Sequence, residues 1–217
     1  MKSYRAEGTR ETTPTQRGIW PVENDTVPTA SNGRPPAPSR AELLAAYDRT
    51  VPDLVFPGVR LLLCGINPSL WSGHAGYHFA RPANRLWRSL AESGLTPRLL
   101  HPSETDELQR AGIGITNFVR RATARADELA DAEIRAGAGT LRRLAKRYAP
   151  RYVAVLGLSA YRLAFDDRTA TVGRQQRCFG ESRVWLLPNP SGLNAHYSQP
   201  ALTAAFAELR EALEAQG

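Results

Sequence analysis

The chain has 217 residues, 42% of them hydrophobic, and a formal net charge of +7, enough for one α/β domain with a buried core plus a tail. The longest apolar run, 59–66, is broken by Arg60, and the opening MKSYRAEGTRETTP lacks the apolar stretch of a secretory signal, so no membrane association is expected. Cys64 and Cys178 neither frame a disulfide scaffold nor supply four thiolates for an iron–sulfur cluster, which favours a reducing cytoplasm.

The charge points to a polyanionic partner, because cations that replace counterions along phosphates gain affinity. Lys2 and Lys146 are the only lysines among the 28 basic residues. An arginine bias of that kind also follows from genome base composition, so charge alone leaves nucleic-acid binding open.

In chain order, residues 1 to about 40 hold six of the 16 prolines and no periodic apolar pattern. Residues 1–50 are therefore expected as a loosely ordered or disordered extension, with a short helix over 41–47. The catalytic domain is expected over 51–217, its folded part beginning near Asp53. GVRLLLCGI (58–66) predicts a strand buried on both faces. Pro82 is expected to open a helix with Ala83, Leu86, Trp87 and Leu90 on one face, ended by Gly94. GIGIT (112–116) predicts a second strand. Residues 131–148 predict a helix striped by Ile134, Ala138, Leu141, Ala145 and Tyr148, closed by Pro150. YVAVLG (152–157) and SRVWLLP (182–188) predict two more strands, with a helix over 159–165 between them. A last helix from about Pro200 buries Leu202, Phe206, Leu209 and Leu213. This alternation implies an α/β three-layer sandwich: a central, mostly parallel sheet flanked by helices, with ligands at the carboxyl ends of the strands.

Two predicted strands end alike, in LLLCGINPSL and VWLLPNPSGL. Each apolar run stops at Asn-Pro-Ser, at the end of the sheet where a site belongs. Asn-Pro is a common turn starter, but two copies, each directly after a buried strand, favour a shared site.

GINPSLWSGHAGYHFARPANRLW (65–87), ITNFVRRAT (115–123) and LPNPSGLN (187–194) resemble the signature regions of the mismatch-specific uracil-DNA glycosylases, the group that includes thymine-DNA glycosylase. The resemblance runs from about Pro52 to the last helix. It implies a monomeric base-excision repair enzyme that needs no cofactor or metal. Such an enzyme flips uracil, or a mispaired pyrimidine such as thymine, out of double-stranded DNA opposite guanine and cuts its N-glycosidic bond. It implies a cytoplasmic setting, nucleoid-associated in a bacterium, and hand-over of the product to abasic-site repair enzymes. By resemblance Asn67 positions the attacking water; its amide accepts from water but takes no proton near neutral pH. Phe79 matches the aromatic on which the flipped base stacks, and His78 beside it matches a histidine of the thymine branch. The Ile66 backbone is expected at the base edge, and Asn117 matches a base-contacting asparagine. Leu193 matches the wedge that fills the hole left by the base. Gly192 permits close approach to the minor groove, and Ser191 with its neighbours Asn189 and Pro190 holds phosphates. Asn84 and Asn189 are equally readable as loop braces.

Two departures stand out. Ser69 replaces the usual glycine after Asn-Pro, and Asn194, Ala195 and His196 follow the wedge where better-known members often have arginine. Competing readings are a glycosylase whose water is activated by a distant carboxylate such as Asp53 or Asp106, and a non-catalytic nucleotide- or DNA-binding module. No GxxxxGK[ST] and no strand-linked GxGxxG occurs. Lys146 falls on a polar helix face and Lys2 in the tail, so an amine nucleophile is not expected at the site.

Overall fold

The computed structural model describes residues 37–192 and 194–215. Of the extension expected over residues 1–50, residues 1–36 lie outside the described residues, as does the expected wedge, Leu193, whereas residues 38–50 belong to the folded unit. The described residues from Pro38 onward belong to one compact unit, Pro38–Gly217.

Its centre is a five-stranded sheet of order β2-β1-β3-β5-β4: β1 (Leu61–Gly65), β2 (Ile113–Asn117), β3 (Tyr152–Leu156), β4 (Gly173–Phe179) and β5 (Ser182–Leu187). The four strands expected from their apolar runs are mutually parallel. Every residue of β1, β2 and β3 is buried, as a parallel sheet covered on both sides requires.

Strand alternation sorts the core into two halves. Leu62, Cys64, Val153, Val155, Val184 and Leu186 pack under Phe118, Ile134, Leu141, Tyr161 and Phe165. Leu61, Leu63, Ile113, Ile115, Tyr152 and Trp185 pack under Leu86, Trp87, Leu90, Phe206 and Leu209. The first half is roofed by α5 (Asp131–Tyr148) and α6 (Leu158–Phe165), the second by α3 (Leu86–Glu92), α4 (Thr105–Arg110) and α7 (Gln199–Glu214). The expected three-layer α/β architecture is the one observed.

Several elements differ from expectation. β4, GRQQRCF, is an additional edge strand, antiparallel to β5. Its burial alternates between half-buried and exposed, so it carries no apolar run to read. The helix expected from Pro82 begins only at Leu86, because Asn84 Oδ1 accepts from Leu86 N and Arg85 N donates to Pro190 O across to the late loop. Ala83 is accordingly exposed, off the helix. α2 (Leu70–Ala75) and α4 are short helices that sequence periodicity did not mark. α1 (Arg40–Leu44) has a capping box between Ser39 and Glu42. The chain after α1 packs on the domain: Ala46 is fully buried, Asp48 N donates to Ala122 O, and Ala122 N donates to Arg49 O.

Two glycines of α5 make opposite predictions. A β-carbon at Gly137 would overlap the Phe118 carbonyl, whereas at Gly139 it meets only the end of Arg143, at 3.6 Å. Gly137→Ala is expected to destabilise the fold by roughly 1–3 kcal/mol through overpacking. Gly139→Ala is expected to stabilise it by about 0.5–1 kcal/mol through helix propensity. Urea denaturation of both variants, read against the wild type, checks the pair.

Candidate active site

The loops that follow β1, β2, β3 and β5 surround one cleft of ≈ 810 Å³ at the carboxyl edge of the sheet. Among the residues lining it are Ile66, Asn67, His78, Phe79, Asn117, Asn189, Ser191 and Gly192. The structure therefore gathers both Asn-Pro-Ser loops, although about 120 residues separate them in the chain.

The parallel register places Gly65 beside Asn117. One step beyond the strands the ladder continues, with Phe118 N donating to Gly65 O and Val119 N to Ile66 O. The carbonyl of Ile66 is thus used inside the fold, while its side chain lies on the cleft wall near Gly157. Further along, Thr123 N donates to Pro68 O and Leu70 N donates to Thr123 O. Residues 118–123 are thereby zipped along the first loop.

This zipper fixes Asn67. Its Nδ2 donates to Arg121 O at 3.1 Å and to Thr123 Oγ1 at 2.7 Å. Thr123 in turn donates to Arg125 O at 2.7 Å, so the hydroxyl proton is committed and its oxygen can only accept from Asn67. No described residue donates to Asn67 Oδ1, which remains the acceptor available to the cleft. Arg121 is itself held by Glu133, through Nε at 2.7 Å and Nη2 at 3.0 Å. That pairing depresses the Glu133 carboxyl to about 2. Thr123 was not singled out from sequence. Its signal was present in ITNFVRRAT, but a hydroxyl that orients another side chain leaves no pattern of its own.

His78 is buried and both its ring nitrogens are engaged. Nε2 lies 2.8 Å from Pro52 O, a pure acceptor, so it carries the proton. Nδ1 then accepts from Asn117 Nδ2 at 3.1 Å. The histidine thereby holds the asparagine amide from behind. A β-carbon at Gly65 would overlap Asn117 Oδ1 and come within 2.9 Å of Phe79 Cζ. Asn117 Oδ1 and the Phe79 ring therefore converge over a position that only glycine leaves open.

Phe79 has φ 51°, a left-handed conformation that a bulky residue adopts only under constraint. Trp87 Nε1 donates to its carbonyl at 3.2 Å, and the following Ala80 N donates to Ser72 Oγ at 3.2 Å. Ser69, the departure from glycine, is the N-cap of α2 and accepts from Ser72 N at 3.2 Å. One chain of contacts thus links the Asn67 loop to the Phe79 loop.

In the late loop Asn189 is a brace: its Oδ1 accepts from Ser191 N and its carbonyl from Asn194 Nδ2. Pro190 is buried, Ser191 half-buried and Gly192 exposed. In the free protein the close approach that Gly192 permits is to Ala83 O, 2.6 Å from where a β-carbon would stand. Asn194 is turned back into the loop, while Ala195 and His196 are exposed.

Neither carboxylate considered from sequence lines the cleft. Asp53 accepts from Thr116 Oγ1 at 2.8 Å and pairs with Arg120, and Asp106 lies on α4. Among the described lining residues the carboxylate is Asp127, exposed and paired with Arg125. Arg81, Arg125 and Arg162 also border the cleft. No helix of the described residues is long and apolar enough to cross a membrane.

Burial lowers the pKa of His78 from its ordinary value near 6.5, outweighing the Pro52 carbonyl and the Asp53 charge. The unfolded chain therefore takes up a proton near pH 6.5 that the folded chain accepts only at lower pH. This contribution to stability is complete above about 6.5 and is lost as the pH falls toward the depressed folded value. His78→Gln is expected to be less stable than the wild type at about pH 7, with the gap narrowing toward about pH 5. Urea melts across that range test this, and a gap independent of pH would show that His78 titrates alike in both states.

The family model described as the uracil DNA glycosylase superfamily matches residues 52–214. Among solved structures, the chain is similar to a solution NMR structure from Methanosarcina acetivorans that bears the name "putative Uracil DNA glycosylase". The two are 19% identical, the match covers 75% of this chain and 98% of the other, and the TM-score is 0.52.

Proposed function

The chain belongs to the uracil DNA glycosylase superfamily of DNA-repair hydrolases, and on that footing we propose that it is a mismatch-directed member. In this reading it flips uracil out of duplex DNA, foremost opposite guanine, and hydrolyses the N-glycosidic bond with water. The observation that carries this reading is Asn67: both amide hydrogens are committed to Arg121 O and Thr123 Oγ1, leaving Oδ1 as a fixed acceptor in the cleft.

The chemistry suits that group. Breaking the bond from the sugar to the base is largely dissociative: the bonding electrons leave with the base and the sugar becomes an oxocarbenium-like cation. Water held by Asn67 Oδ1 adds to the sugar carbon, and its proton passes to the departed base or to solvent. Asn67 takes no proton. Its contribution is placement, which misalignment by an ångström costs on the order of 10²-fold. Phe79 stacks on the flipped base, an interaction of about 1–3 kcal/mol. Asn117 Oδ1, oriented by His78, accepts the N3–H of uracil or thymine, a donor that neutral cytosine lacks. Ile66 lies along the same wall.

Flipping falls to the late loop. Leu193 is proposed as the wedge, with Gly192 and the exposed tip entering the minor groove and Asn189, Pro190 and Ser191 holding the loop against the opened strand. A wobble pair opens at less cost than a Watson–Crick pair, which favours uracil opposite guanine. The net charge of +7 and the arginines at the rim suit a DNA partner. The active species is proposed to be a monomer whose abasic product passes to the next repair enzyme.

Uracil release from a labelled duplex series (U:G, T:G, U:A and single-stranded U), each developed with alkali, tests the reading. Release from U:G is expected, and its absence with excess enzyme would refute the proposal. Asn67→Ala is expected to lower the single-turnover rate by on the order of 10²-fold or more while leaving duplex affinity within a few-fold.

The product should be an intact abasic site. Lys146 is exposed near the carboxyl end of α5, beside Gly180 of the β4–β5 turn, and does not line the cleft. Arginine, protonated at all accessible pH, makes no Schiff base. Borohydride treatment during turnover on U:G duplex is therefore expected to trap no protein–DNA adduct, and a covalent band on a denaturing gel would show that an amine reaches the sugar.

A further inference from the structure

The late loop leaves β5 at Leu187 and ends where Ser198 caps α7. Between them it is held by a residue from another part of the chain. Arg85, immediately before α3, donates from Nη1 to Tyr197 O at 2.5 Å and from Nη2 to Ser191 O and Asn194 O, each at 2.9 Å. Its backbone N–H donates to Pro190 O at 2.9 Å. One residue thus grips both limbs of the loop, and its planar fork is suited to spanning several carbonyls at once.

Helix α3 does not require this arginine. Arg85 occupies the N-cap position of α3, where the amide dipoles favour an anion and disfavour a cation. The Arg85 side chain caps nothing, and the first helical N–H, Leu86 N, donates instead to Asn84 Oδ1. Among the described residues no carboxylate pairs with Arg85, and the hydrogen-bond partners of its guanidinium are loop carbonyls. A residue that conflicts with its local helix while satisfying a distant loop signals that the loop is what it serves. Gly192 seats the loop on the same segment, since a β-carbon there would meet Ala83 O at 2.6 Å.

We propose that Arg85 is a positioning residue for the DNA-inserting loop. It sets the loop in its inserting shape before DNA arrives, so that ordering is not required during flipping. The DNA role rests on the glycosylase reading above; the clamp itself is a property of the free protein.

The test has two arms, using the full chain with Arg85→Ala and Arg85→Lys. In hydrogen exchange of the free protein, Arg85→Ala is expected to speed exchange of amides within 191–197 by about tenfold or more, with the sheet and α7 unchanged. Arg85→Lys, which keeps the charge but not the fork, should restore only part of the protection. Loop exchange unchanged in both variants would overturn the clamp.

In the second arm, Arg85→Ala is expected to lower single-turnover uracil release from U:G duplex by roughly 10–100-fold, with a weaker 2-aminopurine signal for the flipped state. Because Arg85 would act through the loop, its effect and that of Leu193→Ala should overlap. The double variant should fall within about threefold of the worse single variant. Multiplied losses would show that Arg85 acts elsewhere. A wild-type protein that releases no uracil would instead overturn the glycosylase reading and with it the DNA role, while the exchange arm still decides the clamp. Should Arg85→Ala fail to fold, Arg85→Lys carries both arms.

Discussion

Side-by-side pairing of Gly65 and Asn117 is the constraint from which the site is built. The parallel register of β1 and β2 sets the pair, and the missing β-carbon lets Asn117 Oδ1 and the Phe79 ring come together in front of it. Because the ladder runs on through Phe118 and Val119, residues 118–123 are carried along the first loop and deliver Arg121 O and Thr123 Oγ1 to Asn67. The orientation of a single amide group is thus a consequence of strand register. A slip of one residue would turn Asn117 to the other face of the sheet and move every partner of Asn67.

What was legible in the sequence follows from how each feature is encoded. The four parallel strands were readable because burial on both faces demands continuous apolar runs. The long helix α5 and the buried stripe of α7 were readable because one face of each meets the core. β4 was not, since an edge strand with one face in solvent has no such demand. The first turn expected after Pro82 failed for a tertiary reason: residues there are spent on holding the late loop, through Arg85 N to Pro190 O. In the site, the lining by Asn67, Phe79, Asn117 and the late loop was readable from motif and resemblance. Thr123, Ser72 and Arg85 were not, because each works through hydrogen bonds to backbone atoms or to another side chain, and a backbone acceptor has no identity in sequence. His78 was expected beside Phe79 from resemblance and lines the cleft, but its place behind Asn117 required the geometry.

Two loops that line the cleft are tied by the segment between α2 and α3. Phe79 sits at positive φ, a conformation that costs on the order of 1–3 kcal/mol, and the surrounding bonds from Trp87 and to Ser72 hold it there. Six residues later the same segment supplies Arg85 to the late loop. The segment that positions the aromatic wall of the pocket therefore also positions the loop proposed to enter DNA. The two sets of contacts therefore belong to one short stretch of backbone.

In the proposed reaction an asparagine is adequate where a carboxylate would be a stronger base. In a dissociative cleavage most of the barrier lies in separating charge: the base gains negative charge and the sugar positive charge. A cleft bordered by arginine, in a protein of net charge +7, favours the anion that leaves. A second negative charge beside it and near the flanking phosphates would oppose its formation, and would itself be costly to keep ionised in a partly desolvated pocket. In the role proposed for it, Asn67 supplies an acceptor of fixed direction without that charge. Its cost is that it cannot drift into place: an amide held loosely would present N–H as readily as C=O to the water. The pair of bonds to Arg121 O and Thr123 Oγ1 removes that ambiguity, and the proposed mechanism then rests on placing the base, the loop and the water at once.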